Sequence, residues 1–242
     1  MLESLNNDVQ EYLKQFPTHL RFKILNKFKA NYFKKNFFEF CKFGLNYNEM
    51  TSTTHGPICQ ALASESKRKL IVVPRSCFKS SIATISYSIW RLTKNPNERI
   101  LIDSELYTNS KRFLREIKAH LESKYLVEMF GEFKGDVWTE GEIVIKQRTK
   151  AYKESSITCS GIGAEKTSQH YSVIIADDLN STQNINTLDL RQKVINHYRL
   201  YTSLLEPDGT LVVIGTRYHE QDLIGWILEN EIDIENKKVL NL

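Results

Sequence analysis

The chain has 242 residues, of which 41% are hydrophobic and 26% charged, and its formal net charge is +4. This length suffices for one large domain, or for one domain with an appended piece. The weakly positive charge permits a polyanionic partner without requiring one. The four cysteines have no paired spacing, which argues against a structural zinc site and a disulfide framework. No apolar run approaches the roughly 18 residues of a membrane span and the N-terminus does not resemble a signal peptide, so a soluble intracellular protein is predicted.

The first 50 residues differ from the rest of the chain. The stretch "HLRFKILNKFKANYFKKNFFEFCKF" mixes aromatic residues and lysines at roughly helical spacing. From Leu20 to Phe43, seven Lys or Arg residues stand against one acid, Glu39. The pattern predicts a helical, basic N-terminal segment over 1–50, followed by a domain over 51–242. Its lysines form either a solvated helix face or a surface that contacts DNA phosphates or a neighbouring subunit.

Beyond Lys69, apolar runs alternate with amphipathic ones. Strands are predicted at "KLIVV", "RILID", "EIVIK", "SITCS", "YSVIIADDL" and "GTLVVIGTRYH". Helices are predicted at "SSIATISYSIWRL", "YTNSKRFLREIKAHLES", "TLDLRQKVINHYRLYTSLL" and "EQDLIGWILEN". This alternation predicts an α/β fold with a parallel-rich sheet that is flanked by helices on both faces. Ligands of such sheets bind at the C-terminal ends of the strands.

The stretch "LIVVPRSCFKSSIATISYSIW" has the plan of a phosphate-binding loop without its glycines. If Lys79 and Ser80 occupy the Lys-Ser/Thr positions of G-x-x-x-x-G-K-[ST], then Val73 and Phe78 occupy the two glycine positions. Lys79 can reach the terminal phosphates of ATP, the Ser80 hydroxyl can bind magnesium, and Arg75 adds a second cation. The alternative is a plain strand–loop–helix with a capping serine. The predicted nucleotide-binding loop comprises Pro74, Arg75, Ser76, Cys77, Phe78, Lys79, Ser80 and Ser81.

Two further strands end in polar clusters. "VIIADD" places Asp177 and Asp178 after a buried strand, where the first acid can hold magnesium and the second can polarise the attacking water. The alternative role for Asp178 is to cap the next helix. In "LVVIGTRYHEQDL", the strand ends at Thr216, whose hydroxyl can sense the terminal phosphate; the alternative is a simple turn.

With these clusters in order, the chain resembles the ATPase domain of phage large terminases, the motors that package DNA into viral proheads. The resemblance covers Thr54 to Asn230 and rests on "HGPICQAL", "LIVVPRSCFKSS", "NPNERILI", "GIGAEKTSQHYSVIIADDLN" and "VVIGTRYHEQDLIGWIL". It implies an ASCE-type P-loop NTPase that uses ATP and Mg²⁺. It further implies that Arg75 and Lys79 are the Walker A cations, Ser80 and Asp177 the magnesium residues, Asp178 the catalytic acid and Thr216 the coupling residue.

The resemblance also implies partners. These are double-stranded DNA, a portal protein on the prohead, and further copies of the chain in a ring that is pentameric when docked, with a monomer in isolation. The location implied is the host cytoplasm. An arginine supplied in trans would complete each ATP site, and the candidates are Arg148, Arg191 and Arg199.

The sequence departs from that family at two points. Asp178 stands where the catalytic acid is commonly Glu, and no nuclease domain with clustered acids is present in this chain, so no DNA cleavage is expected. Two other functions remain open: a P-loop kinase or sulfotransferase acting on a small molecule, and a DNA-binding assembly module with an inactive nucleotide site.

Overall fold

The computed structural model describes residues 9, 11–164, 168–231 and 238–241. Parts of three sequence predictions lie outside these residues. They are residues 1–8 and 10 of the N-terminal segment, residues 165–167 of "GIGAEKTSQHYSVIIADDLN", and residues 232–237 and 242 at the end of the predicted domain.

A mixed sheet of eight strands forms the centre of the described structure, in the order β3-β4-β5-β2-β6-β7-β1-β8. Six neighbouring strands, from β5 to β8 in that order, run parallel, whereas β4 pairs antiparallel with both β3 and β5. The strands are β1 (Arg68–Val72), β2 (Ile100–Ser104), β3 (Lys134–Trp138), β4 (Glu142–Ile145), β5 (Ile157–Gly161), β6 (Tyr171–Asp177), β7 (Leu205–Gly215) and β8 (Lys238–Asn241).

Helices cover both faces of this sheet, as predicted. They are α1 (Thr18–Lys35), α2 (Phe37–Glu39), α3 (Ser52–Ala63), α4 (Tyr87–Lys94), α5 (Tyr107–Leu121), α6 (Lys124–Phe130), α7 (Leu188–Arg199), α8 (Tyr201–Leu204) and α9 (Leu223–Asn230). Two π-helical turns, Phe40–Gly44 and Ser81–Ser86, lead out of α2 and into α4. Within the described residues, none of these helices combines the length and apolar character needed to cross a bilayer.

The core is divided by the sheet into two layers. Side chains of α1 to α6 pack with Ile71, Ile102 and Ile175 on one face, and those of α7 to α9 pack with Leu101 and other strand residues on the second face. Successive strand side chains point to opposite faces, so a strand buried on both sides must be apolar at every position. This explains the continuous apolar runs in the sequence.

The N-terminal segment packs on the first layer of this core. On α1, Asn26, Ala30 and Phe33 are buried, and the Trp90 indole donates a hydrogen bond to the Phe33 carbonyl at 2.9 Å. The buried aromatic residues therefore agree with an amphipathic helix. Whether the outward lysines contact DNA or another subunit stays a prediction.

Several element boundaries differ from the predictions. The single helix predicted at "TLDLRQKVINHYRLYTSLL" is α7 and α8, and β7 starts at Leu205 and ends at Gly215 rather than running from 209 to 219. Strand β6 ends at Asp177. The elements α3, α6, β3 and β8 were not predicted. The antiparallel edge arises because residues 139–141 join β3 to β4 too closely for a parallel crossover.

Candidate functional site

The three polar clusters of the sequence meet at the C-terminal ends of strands β1, β6 and β7. Strand β7 lies between β1 and β6, with Val72 opposite Gly215 and Asp177 opposite Ile214. All three strands are parallel, so the segments that leave their C-terminal ends emerge side by side. Strand β7 thus separates β1, which precedes the predicted nucleotide-binding loop, from β6, which ends in Asp177. This is the strand arrangement of the predicted ASCE-type fold.

The loop after β1 has the backbone of a glycine-rich turn without the glycines. Ser76 and Phe78 have positive φ angles of 65° and 51°, a left-handed conformation that costs a non-glycine residue about 1–2 kcal/mol. Phe78 occupies the second predicted glycine position, whereas Val73 at the first has no positive φ. The Phe78 ring packs edge-on against His55, with centroids 5.5 Å apart, and lies 6.4 Å from the Tyr47 ring. These aromatic contacts offset the backbone cost.

This balance predicts an unusual order of stabilities at position 78. Phe78→Ala loses the aromatic packing and keeps the left-handed strain, whereas Phe78→Gly loses the packing and relieves the strain. We expect the glycine variant to be more stable than the alanine variant by about 1 kcal/mol, the reverse of the usual order in regular structure. Urea unfolding of the three proteins measures this difference. An alanine variant that is more stable than the glycine variant would contradict the left-handed backbone.

Lys79 lies at the centre of the cluster. Its side chain is 9% exposed, and its Nζ donates to Asp178 Oδ1 at 2.8 Å and to Thr216 Oγ1 at 2.7 Å. The Thr216 hydroxyl in turn donates to the Val73 carbonyl at 3.2 Å. One lysine thus joins the ends of β1, β6 and β7, so Thr216 has a specific partner and is more than a turn residue.

Asp177 is buried at the floor of the site. Its carboxylate accepts hydrogen bonds from Ser80 Oγ at 3.1 Å and from Thr84 Oγ1. Burial is the largest influence and raises the pKa of Asp177 to about 6; the neighbouring Asp178 raises it further, whereas the two hydroxyls and Lys79 act to lower it. Ser80 makes no capping hydrogen bond to the π-helical turn that follows it, and its hydroxyl bonds Asp177 instead.

Thr84 is a site residue that the sequence analysis missed. It lies in the π-helical turn Ser81–Ser86, which is also closed by a hydrogen bond from Ser86 Oγ to the Ser81 carbonyl at 2.7 Å. The spacing of four residues from Ser80 was the available signal, since residues i and i+4 of a helix share one face. Single π-turns inside helices are frequent at functional sites.

Asp178 leaves the strand with a left-handed backbone, at φ 48°. Its amide donates to the Ile214 carbonyl at 2.9 Å, and its side chain remains 41% exposed, facing Lys79. The helix α7 begins only after Thr187, whose side chain makes the capping hydrogen bond. Asp178 is therefore not a helix cap, and that alternative is wrong.

Arg75 stands apart from Lys79. Its guanidinium is exposed and donates to the Tyr218 hydroxyl from Nε at 3.2 Å and from Nη2 at 2.5 Å. Tyr218, which follows Thr216 by two residues, was not predicted as a site residue. The pair links the loop after β1 to the loop after β7, at the rim of the site.

The three arginines proposed to act in trans lie in different places. The guanidinium groups of Arg99 and Arg148 lie 4.1 and 5.2 Å from the centre of the Tyr152 ring. Arg99 directly precedes β2, whose last residue pairs with Asp177, so Arg148 lies near the N-terminal end of β2 and away from Asp177. Arg191 donates to the Ile185 carbonyl at 2.6 Å, and Arg199 lies over the Trp226 ring. Their action in a ring of subunits stays a prediction.

Comparison with known proteins supports the fold. No protein-family model matches the chain, and no curated protein sequence matches it. Three structures of Dbp5 from S. cerevisiae, a DEAD-box RNA helicase, are similar. A Dbp5 variant bound to a Gle1 variant and IP6 has a TM-score of 0.52 at 8% identity, over 83% of this chain and 49% of that chain. A variant bound also to Nup159 and ADP gives 0.51 at 10% identity, over 84% of this chain and 50% of that chain.

The third structure is Dbp5 bound to RNA and ADP BeF3, with a TM-score of 0.50 at 10% identity, over 84% of this chain and 48% of that chain. This chain has a RecA-like α/β fold. At such identities the similarity concerns the fold alone, and the chain spans about half the length of the structures that it matches.

The assignment to the phage large terminases is wrong, because the similar structures are of a DEAD-box RNA helicase and no family model supports a terminase. The assignment rested on short segments of sequence. Short motifs on a widely shared fold do not establish the family to which a chain belongs. A portal, a prohead and a viral source have no support once this assignment is withdrawn.

Proposed function

We propose that this chain is a magnesium-dependent ATPase whose turnover is coupled to a nucleic acid. The observation that carries the proposal is the position of Lys79 Nζ, between Asp178 Oδ1 and Thr216 Oγ1 at the C-terminal edge of the sheet. A buried cation at that edge meets the β- and γ-phosphates in P-loop enzymes. The RecA-like fold and the ADP and ADP BeF3 bound by the similar Dbp5 structures support a nucleotide as the ligand.

The residues around Asp177 fit a magnesium ion. Among the described residues, no group of three or more His, Cys, Asp or Glu side chains could hold a metal by itself. Mg²⁺ in nucleotide sites needs no such group, because it is held by one or two carboxylates and by the substrate's phosphates. The Asp177 carboxylate and the Ser80 hydroxyl, 3.1 Å apart, supply the oxygen ligands that this ion prefers. When bound, the ion neutralises charge on the phosphate oxygens.

In the mechanism that we propose, nucleotide binding exchanges the partners of Lys79. The ammonium leaves Asp178 for the phosphate oxygens, where it stabilises negative charge in the transition state. Asp178, 41% exposed, is then free to orient a water molecule and accept its proton. Thr216 lies on the lysine's other side, so its hydroxyl would report the state of the terminal phosphate to the loop that carries Tyr218.

Replacement of Asp178 by asparagine separates nucleotide binding from activation of the attacking water. Asparagine has the same shape and tolerates the positive φ at this position, so the backbone should be preserved. It cannot accept a proton, and we expect hydrolysis to slow by about 10²–10⁴-fold while ATP still binds. The measurements are single-turnover hydrolysis and equilibrium binding of a fluorescent nucleotide. Loss of binding equal to the loss of rate would contradict the role of Asp178 in water activation.

A phosphate-release assay tests the function as a whole. The chain is assayed with Mg·ATP alone, with a DNA duplex, with single-stranded RNA, and with Lys79→Ala as the inactive reference. Release from ATP that increases with either nucleic acid supports the proposal. ADP formation without free phosphate, seen only when a small-molecule acceptor is added, would indicate a kinase, and no turnover under any condition would indicate an inactive nucleotide site.

A further inference from the structure

A groove of about 530 Å³ lies beside strands β3 and β4. These strands stand at one end of the strand order, whereas β1, which precedes the proposed nucleotide-binding loop, stands near the other end. The groove is lined by residues 134–137 of β3, by 144 and 145 of β4, and by 146 and 148–151 of the following loop. This volume falls within the range of about 300–1,000 Å³ that is usual for ligand pockets. Strand β3 is the outermost strand of the described sheet on this side. The groove thus lies at the antiparallel edge, and its residues take no part in the ATP chemistry proposed above.

The lining of the groove is strongly cationic. Four of its side chains are positively charged and one is negatively charged, namely Lys134, Lys146, Arg148, Lys150 and Asp136. Lys134 pairs with Glu122 at 3.1 Å, and Lys146 pairs with Glu132. Within the described part of the chain, neither Arg148 nor Lys150 has an ion-pair partner. The groove therefore retains uncompensated positive charge.

Arg148 is held in place with part of its hydrogen-bonding capacity unused. Its Nη1 donates to the Glu154 carbonyl at 2.8 Å, and its guanidinium lies 5.2 Å from the centre of the Tyr152 ring. Its Nε and Nη2 are buried and, among the described residues, have no acceptor. Burial, and then repulsion by Arg99, lower the pKa of Arg148. A bound anion would compensate the positive charge of the guanidinium.

We infer that this groove binds the phosphate backbone of a nucleic acid, through Arg148 and Lys150. Arg148 and Lys150 line the groove from the same loop, and their positive charges attract the oxygens of a phosphate. The inference deepens the proposed function, since it locates the nucleic-acid contact at a distance from the ATP site.

The experiment measures binding without nucleotide, so that an inactive ATP site does not affect it. Fluorescein-labelled DNA duplex and single-stranded RNA of mixed sequence are titrated with the wild type, Arg148→Gln and Lys150→Gln, at several salt concentrations. The control is Lys193→Gln, which removes one positive charge from an exposed position on α7 that does not line the groove. Lys150→Gln keeps the test valid if Arg148→Gln fails to fold, because Lys150 is an exposed loop residue.

We expect each groove variant to bind at least one of the two nucleic acids about two- to tenfold more weakly, with a salt slope reduced by about one, and the control to match the wild type. Unchanged affinity in both groove variants would overturn the inference. So would a loss that the control shares, or a loss without a change in salt slope. Binding of an acidic peptide or of inorganic phosphate that depends on these residues, with no nucleic acid bound, would also overturn it. Phosphate release from ATP is scored separately, so either proposal can fail alone.

Discussion

Replacing Lys79 by alanine is expected to slow ATP hydrolysis by at least about 10²–10³-fold, the usual cost of one preorganised electrostatic contact. The side chain is 9% exposed and fixed by Asp178 and Thr216, so its charge is held where the phosphates are expected. Removing it takes away charge stabilisation that water cannot restore in a buried position. Nucleotide affinity should fall as well, because the same ammonium contacts the phosphates in the ground state.

The control for Lys79→Ala is Lys193→Ala, which removes an exposed lysine on α7. Circular dichroism and thermal unfolding establish that both variants fold. Asp178 loses its ion-pair partner in the Lys79 variant, but its side chain is 41% exposed and can be hydrated, so the fold should survive. Normal turnover by a folded Lys79→Ala protein would exclude the phosphate-binding role of this loop.

Replacing Asp177 by asparagine is expected to abolish magnesium-dependent hydrolysis and to stabilise the nucleotide-free protein at neutral pH. The ionised carboxylate is fully buried, and burial raises its pKa from an ordinary value of 3.8 to about 6. A raised carboxyl pKa means that the folded state holds its proton more tightly than the unfolded state. The protonated Asp177 carboxyl therefore makes its full contribution to the free energy of unfolding below about pH 4. This contribution is lost as the pH rises through about 6.

The size of this effect follows from the shift of about two pKa units. At about 1.4 kcal/mol per unit, ionised Asp177 costs the folded protein up to about 3 kcal/mol above pH 6. Asparagine avoids that cost and retains an oxygen that accepts from Ser80 or Thr84. We expect the variant to exceed the wild type in unfolding free energy at pH 8 and to lose this advantage near pH 4. Urea unfolding across this range measures it, with Glu229→Gln as a reference for removing one exposed negative charge.

A destabilised wild-type carboxylate is expected at a functional site. Natural proteins retain such groups where chemistry requires them, and their removal often raises stability at the expense of activity. An Asp177→Asn protein that is less stable than the wild type at pH 8 would show that the carboxylate is a structural acceptor for Ser80 and Thr84 and is not held for a cation.

The amino-acid sequence by itself determined the layered α/β fold and the candidate site residues at the strand ends. A strand buried on both faces has to be apolar throughout, so "KLIVV", "YSVIIADDL" and "GTLVVIGTRYH" predicted such strands without knowledge of their neighbours. Each run ends where polar residues begin. Lys79, Asp177 and Thr216 were therefore identified from local pattern alone, and parallel pairing then brings them to one edge.

The tertiary structure decided what depends on non-local pairing. The place of β7 between β1 and β6, the antiparallel edge at β4 and the division of helices between two faces follow from which backbones pair, and residues far apart in the chain make those pairs. Thr84 and Tyr218 became site residues only through a carboxylate and an arginine that lie more than 90 residues away in sequence. A hydroxyl has no fixed role until its partner is known. The same limit explains the incorrect family assignment, since short local motifs do not determine the family to which a chain belongs.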